Sequence, residues 1–159
     1  MEFLSMIRMK MKLGEDIQYS VLINTINFNK DIISQDQLFN YLKTLQKQYP
    51  KSIIQLFSTR YLINRNHLFY AIYYSLKAYL QQTLISHRPS MELLLYLSTN
   101  RQISEAIKTF GITSGEFNKG IINYCIVTKE SKIIKINTQF LEGFEYSERP
   151  TAYSINSRE

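Results

Sequence analysis

The sequence predicts an α+β fold, a single domain in which helices pack on a small mixed or antiparallel β-sheet. Three observations lead to it. Segments rich in β-branched and aromatic residues do not alternate regularly with helical ones, as a doubly wound sheet would require. Four apolar patterns of helical period stand among them. Finally, 159 residues containing only 5 Gly and 3 Pro make one ordinary domain without a long linker.

The elements follow in chain order. A short strand is expected over residues 6–13 and a longer one over 17–28, where Ile17, Tyr19, Val21 and Ile23 recur. Ser34 has the chemistry of a helix cap. After it, Leu38, Phe39, Leu42 and Leu45 share one helical face and Lys43, Gln46 and Lys47 the other, up to Pro50. A third strand spans 52–58. The longest helix runs from Asn64 to about Thr83, with Leu68, Phe69, Ile72, Leu76, Tyr79 and Leu80 as its buried stripe. Beginning at Met91, Leu93, Leu94, Leu95 and Leu97 make the next helix apolar nearly all round, hence buried on most sides. Asn100 then reads as the N-cap of a helix carrying Ile103, Ala106, Ile107 and Phe110. Gly111 stands where a left-handed C-cap residue is expected, with Ile112 folding back onto Ile107 and Gly115 in a turn. Residues 120–128 read as a returning strand. Beyond Lys129 the period is ambiguous: Ile133, Ile136, Phe140, Leu141 and Phe144 suit a helix, whereas Ile134, Ile136 and Thr138 suit a strand. The domain is expected to occupy residues 1–146, with 147–159 a flexible tail.

Composition narrows the class of function. A formal charge of +6, from 19 basic and 13 acidic residues, favours an anionic partner, and 12 Tyr and 9 Phe supply rings on which unpaired bases stack. The single cysteine, Cys125, rules out an internal disulfide and suits a reducing compartment. Arg8, Lys10 and Lys12 interrupt the apolar residues at the start, which therefore do not form a secretory signal, and no run approaches the length of a membrane span. A cytoplasmic protein with no membrane contact is expected.

Catalytic patterns are missing. His67 has Asn64, Arg65 and Asn66 beside it but no carboxylate to orient it as a base. Cys125 lies within a strand-like segment, without the electropositive setting that activates a thiol. Two histidines and one cysteine, widely separated, give no metal-ligand spacing, and no Gly-rich phosphate loop occurs. The chain therefore reads as a binding protein, neither an enzyme nor a carrier of a metal or cofactor.

Binding features are richer. An advance of about 100° per residue sets Asn66, His67, Tyr70, Tyr74, Lys77 and Gln81 on the outer face of the longest helix, a candidate stacking surface with charge beside it. Arg101 and Gln102 fall in the expected first turn after Asn100. There a cation opposes the helix dipole unless it pairs with Glu105 or meets an anion from a partner.

The run from Met91 to Ile112 also resembles a family signature, that of the kinase-associated regulatory subunit of the KEOPS complex, the PRPK-binding proteins of archaeal type. The matching residues are Glu92, Leu93, Leu94, Leu97 and Ser98, then Arg101, Gln102 and Ile103, then Glu105, Ala106 and Ile107, and the closing Gly111 and Ile112. Upstream, His67, Leu68 and Ala71 look like the family's His-Leu-x-x-Ala element, and the likeness covers roughly residues 17–128. One position departs: where the family has Gly after Leu-Ser, this chain has Thr99.

The resemblance implies a non-catalytic subunit of the machinery that makes threonylcarbamoyladenosine in tRNA. Such a subunit docks on the N-terminal lobe of a PRPK-type kinase, which acts as an ATPase, and so joins the transferase and dimerising subunits indirectly. It also holds tRNA, in archaeal forms by the 3′ CCA end. On this reading Asn100, Arg101, Gln102, Arg65, His67, Tyr74 and Lys77 are the candidate RNA-binding residues. Ile133, Phe140, Leu141 and Phe144, large apolar groups near the C-terminus, are the candidate kinase contact, expected to be only partly covered within the chain. The alternative is a stand-alone RNA-binding or RNA-processing protein of the same fold.

Overall fold

A computed structural model of the chain describes residues 6–129 and 132–148. Strands β1 (Ile7–Leu13), β2 (Ile17–Asn27), β3 (Ile53–Phe57) and β4 (Ile121–Thr128) form one sheet in the order β1-β2-β4-β3. Every neighbouring pair is antiparallel, which resolves the expected choice between a mixed and an antiparallel sheet. Helices α1 (Gln35–Gln48), α2 (Arg65–Leu80), α3 (Pro89–Ser98), α4 (Ile103–Phe110), α5 (Ser114–Asn118) and α6 (Ile133–Glu148) complete the described residues. The fold is α+β.

Strand alternation divides the helices between the two faces of the sheet. Tyr19, Val21 and Ile23 of β2 with Cys125 and Val127 of β4 point to one side, where α2, α3 and α4 bring Leu68, Ile72, Leu93, Leu97, Ala106 and Phe110. Leu22, Ile54, Leu56, Tyr124 and Ile126 point to the other, where α1, α5 and α6 bring Leu38, Leu45, Phe117, Ile136 and Phe140. The result is three layers. At the β1 edge only one face is covered: Met11 and Leu13 join the first cluster, while Arg8, Lys10 and Lys12 stay exposed.

Local chemistry fixes the helix ends. Ser34 caps α1 in a capping box with Gln37, as its sequence suggests, and Asn64 caps α2 by accepting from the His67 N–H at 3.0 Å. The short α5, which replaces the turn expected at Gly115, has a second box in Thr113 and Glu116. Gly111 is not left-handed: its φ is −74°, and glycine is needed because a Cβ would lie 2.5 Å from the Ile107 carbonyl oxygen. The left-handed residue of this region is Thr99, with φ 54° and ψ 24°.

The segment after Lys129 settles as helix. Its apolar residues are core, which corrects the expectation that they stand partly free. Ile133, Phe140 and Phe144 are buried against the sheet, with the Phe140 ring 4.2 Å from that of Tyr124, and only Leu141 is half-exposed. Packing had room for them because α5 and α1 leave the middle of that face to α6. Hydroxyls of Tyr41 and Tyr49 in or just after α1 donate to the backbone and side-chain oxygens of Gln139, tying the two helices together. The α6 helix runs through Glu148, past the expected boundary at 147; the remainder of the expected tail lies outside the described residues.

Thr99 offers a test of this backbone. A β-branched residue in the left-handed region costs about 1–2 kcal/mol, offset in part here by the 2.6 Å bond from its hydroxyl to the Ser98 carbonyl. Thr99→Gly, the residue of the family pattern, should therefore raise stability by about 0.5–1 kcal/mol after the entropy of the more flexible unfolded chain is counted. Urea denaturation followed by circular dichroism checks it, and a lower midpoint would place Thr99 in a different conformation.

Candidate nucleic-acid interface

The turn between α3 and α4 is built from side chains that bond to nearby backbone. At the start of α3, Pro89 supplies a fixed φ, and Glu92, fully buried, faces the loop before the helix. Its carboxylate accepts from the Ile85 N–H at 3.1 Å, the Ser86 N–H at 3.0 Å and the Ser86 hydroxyl at 2.8 Å. Those bonds solvate the buried charge and lock the loop onto the helix. At the other end, Ser98 Oγ accepts from the Asn100 N–H at 3.1 Å, and Asn100 Oδ1 accepts from the Gln102 N–H at 2.8 Å.

This geometry corrects the expected helix start. Asn100 spends its side chain on an Asx turn rather than a cap, and the N-cap is Gln102, extended at φ −98° and ψ 122°. Arg101 and Gln102 thus precede α4 instead of opening it. Nor does Arg101 pair with Glu105, which forms its ion pair with Lys108 at 3.5 Å, one turn further on.

An aromatic row lies nearby. The Tyr74 ring of α2 lies 6.0 Å from that of Tyr96 in α3, with planes 28° apart, and Tyr73 meets Tyr74 edge-on at 5.3 Å. Burial pushes the Tyr96 hydroxyl above the usual tyrosine range and the Glu92 carboxylate adds to this, while the nearby Arg101 guanidinium pulls the other way. Tyr74 and Tyr96 are therefore a stacked pair within the electrostatic reach of Arg101, with Lys77 one turn beyond Tyr74. Tyr96 is 38% exposed and was missed in the sequence because its neighbours Leu94, Leu95 and Leu97 mark that helix as buried all round.

The remaining candidates divide. Arg65 is exposed in the first turn of α2, about 18 Å along the axis from Lys77. His67 leaves the free surface. Its Nδ1 accepts from the Ile63 N–H at 3.2 Å, so Nε2 carries the proton and donates to the Leu97 carbonyl oxygen at 2.9 Å. The ring also stands edge-on to Phe110 at 5.5 Å. With both nitrogens engaged, His67 rivets the start of α2 to the end of α3. Arg60, also missed, donates to the Lys108 and Thr109 carbonyls at 2.9 and 3.2 Å, closing the C-terminus of α4.

No reactive constellation accompanies this surface. Burial pushes the Cys125 thiol up to about 12, far from a nucleophile at neutral pH. Among the described residues no cluster of three metal-ligating side chains occurs, and no helix is long and apolar enough to cross a membrane.

Residues 22–149 match the family model described as kinase binding protein CGI-121. The chain belongs to this family. The match runs from the middle of β2 through α6, and so takes in both helical layers together with Tyr74, Tyr96 and Arg101. A comparison with curated proteins returns no match. The family is described as kinase-binding, and the resemblance first carried by Glu92 to Ile112 extends across most of the domain.

Proposed function

We propose that this CGI-121 chain is the non-catalytic, kinase-binding subunit of a cytoplasmic KEOPS complex, contributing to threonylcarbamoyladenosine formation by holding both a PRPK-type kinase and tRNA. The observation that carries the proposal is the family match over residues 22–149. Two features support the RNA part. Net charge of +6 attracts a polyanion, and the Tyr74–Tyr96 pair with Arg101 beside it offers stacking faces and a phosphate fork to a single-stranded end. Asn100 and Gln102 then shape the turn that presents Arg101, Lys77 and Arg65 add charge, and His67 acts through position alone.

The kinase contact moves outward on α6. With Ile133, Ile136, Phe140 and Phe144 in the core, the apolar groups left among the described side chains of that helix are Ile134, 50% exposed, and the half-exposed Leu141, seven residues apart and therefore on one face. Purified chain and PRPK-type kinase should form a one-to-one complex on size exclusion, and the chain alone should not turn over ATP. Ile134→Asp should abolish the complex while lowering the unfolding free energy by no more than about 1 kcal/mol, as expected of a surface change, and Leu141→Asp, at a side chain that also packs on the second core cluster, should abolish it at a larger cost in stability. A complex that survives both substitutions moves the contact to another face, with α1 the next candidate.

For RNA, Arg101→Glu should weaken tRNA binding by about 2 kcal/mol and reduce its salt dependence, since fewer counterions are released. Tyr96→Ala should cost about 1–3 kcal/mol through lost stacking. Gel shifts with intact tRNA and with tRNA lacking its CCA end check both: end recognition predicts a large loss on trimming, and equal affinity for the two RNAs contradicts it.

A further inference from the structure

The open edge of the sheet at β3 lies at the bottom of a groove of about 510 Å³ whose two walls come from opposite helical layers. Phe39 and Leu42 of α1 form one wall; Met91 and Leu94 of α3 with Ile107 of α4 form the other. Ile107 is 46% exposed and Phe39 40%, large apolar groups that the chain's own packing leaves uncovered. The lining holds three cations, Lys43, Lys47 and Arg88, and no acidic residue.

The strand edge itself is occupied in an informative way. Ile54 and Leu56, two residues apart on β3, turn their N–H groups away from β4. The first donates to the side-chain oxygen of Gln46 at 3.0 Å and the second to that of Gln55 at 2.9 Å. Both acceptors are carboxamides, chemically equivalent to a peptide group. Each is held in turn by its amino group: Gln46 donates to the Tyr49 and Ser52 carbonyls at 2.9 and 2.7 Å, and Gln55 to the Ser90 carbonyl at 2.8 Å. Two side-chain amides thus stand where the carbonyls of an added β-strand would bond, at the two-residue spacing that a strand repeats.

We propose that this groove is a docking site for an extended, acidic segment of a partner protein, which adds to β3 as a fifth strand after displacing the Gln46 and Gln55 carboxamides. Alternate side chains of such a segment meet the α1 wall and the α3/α4 wall, both apolar, and flanking carboxylates meet Lys43, Lys47 and Arg88. A peptide fits better than RNA. The groove contains one exposed ring, Phe39, rather than a row of stacking faces, and its floor offers the donor and acceptor spacing of a polypeptide. The site lies away from Tyr74, Tyr96 and Arg101, and it does not depend on the reading of those residues.

The probe is an acetylated, amidated hexapeptide, Glu-Val-Ile-Val-Glu-Glu, titrated into the full chain while the backbone amides of Ile54 and Leu56 are followed by nuclear magnetic resonance. Saturable shifts at those amides are expected, with affinity at least tenfold above that of the same peptide carrying Lys for Glu. Methylating the central backbone nitrogens should remove binding at least tenfold, because side chains and charge are unchanged while the strand bonds are lost. Ile107→Glu, a change at an exposed position, should do the same with the fold retained. Gln55→Ala should tighten binding severalfold, since the competing carboxamide is gone; a carboxamide that merely braces the edge would give unchanged or weaker binding. Equal affinity for the acidic and basic peptides, unchanged affinity of the methylated peptide, or displacement of the hexapeptide by an ACCA ribonucleotide would each overturn the proposal.

Discussion

Strand β4 governs the architecture because it is buried on both faces. Residues 122–128 are all buried, with Tyr124 and Ile126 facing one helical layer and Cys125 and Val127 the other. An antiparallel strand with water on one side would alternate apolar and polar residues; this one does not, so each face of the sheet centre must be covered by helices. That requirement places α2, α3 and α4 on one side and α1, α5 and α6 on the other. The candidate RNA surface and the α6 face are therefore separated by the thickness of the sheet, and the β3 groove opens where the two layers meet its edge. A single constraint on the sheet thus produces three distinct surfaces.

Polar groups refine this arrangement without supplying its main stabilisation. Glu92 is buried yet bonded to Ile85 and Ser86, and Tyr124 donates to Asn137 at 2.5 Å while accepting from Asn24 at 3.3 Å. Such groups are costly to bury unpaired and specific once paired, so they fix register and loop position while apolar contact drives packing. His67 belongs with them. Its two bonds to backbone make it a joint between α2 and α3, which explains a histidine in a first turn without any need for catalysis.

Strong periodicity made the helices α1, α2 and α3 and the strands legible before the structure, and Ser34 and Asn64 cap as their chemistry predicts. What failed was local competition. Asn100 had the side chain of an N-cap, but a left-handed Thr99 before it turned the backbone early, and its oxygen went to Gln102 instead of to α4. Gly111 carried the signature of a left-handed cap although its role is steric, and the sequence does not distinguish the two uses. The fate of Ile133, Phe140 and Phe144 depended on whether tertiary packing left space beside Tyr124, which no period of 2 or 3.6 encodes. In the candidate site, Arg101, Tyr74 and Lys77 were legible as exposed groups, whereas Tyr96, which joins them, was hidden in an apolar run.

The separation of kinase and RNA surfaces is the centre of this account, and hydrogen exchange measures it directly. Exchange followed in the free chain, with a PRPK-type kinase, and with tRNA should show two protected regions that do not overlap. The kinase should protect α6 around residues 134–141 and leave the 96–102 turn unchanged, and tRNA should do the reverse. Protection of the same residues by both ligands would contradict the account, because one surface would then serve both partners.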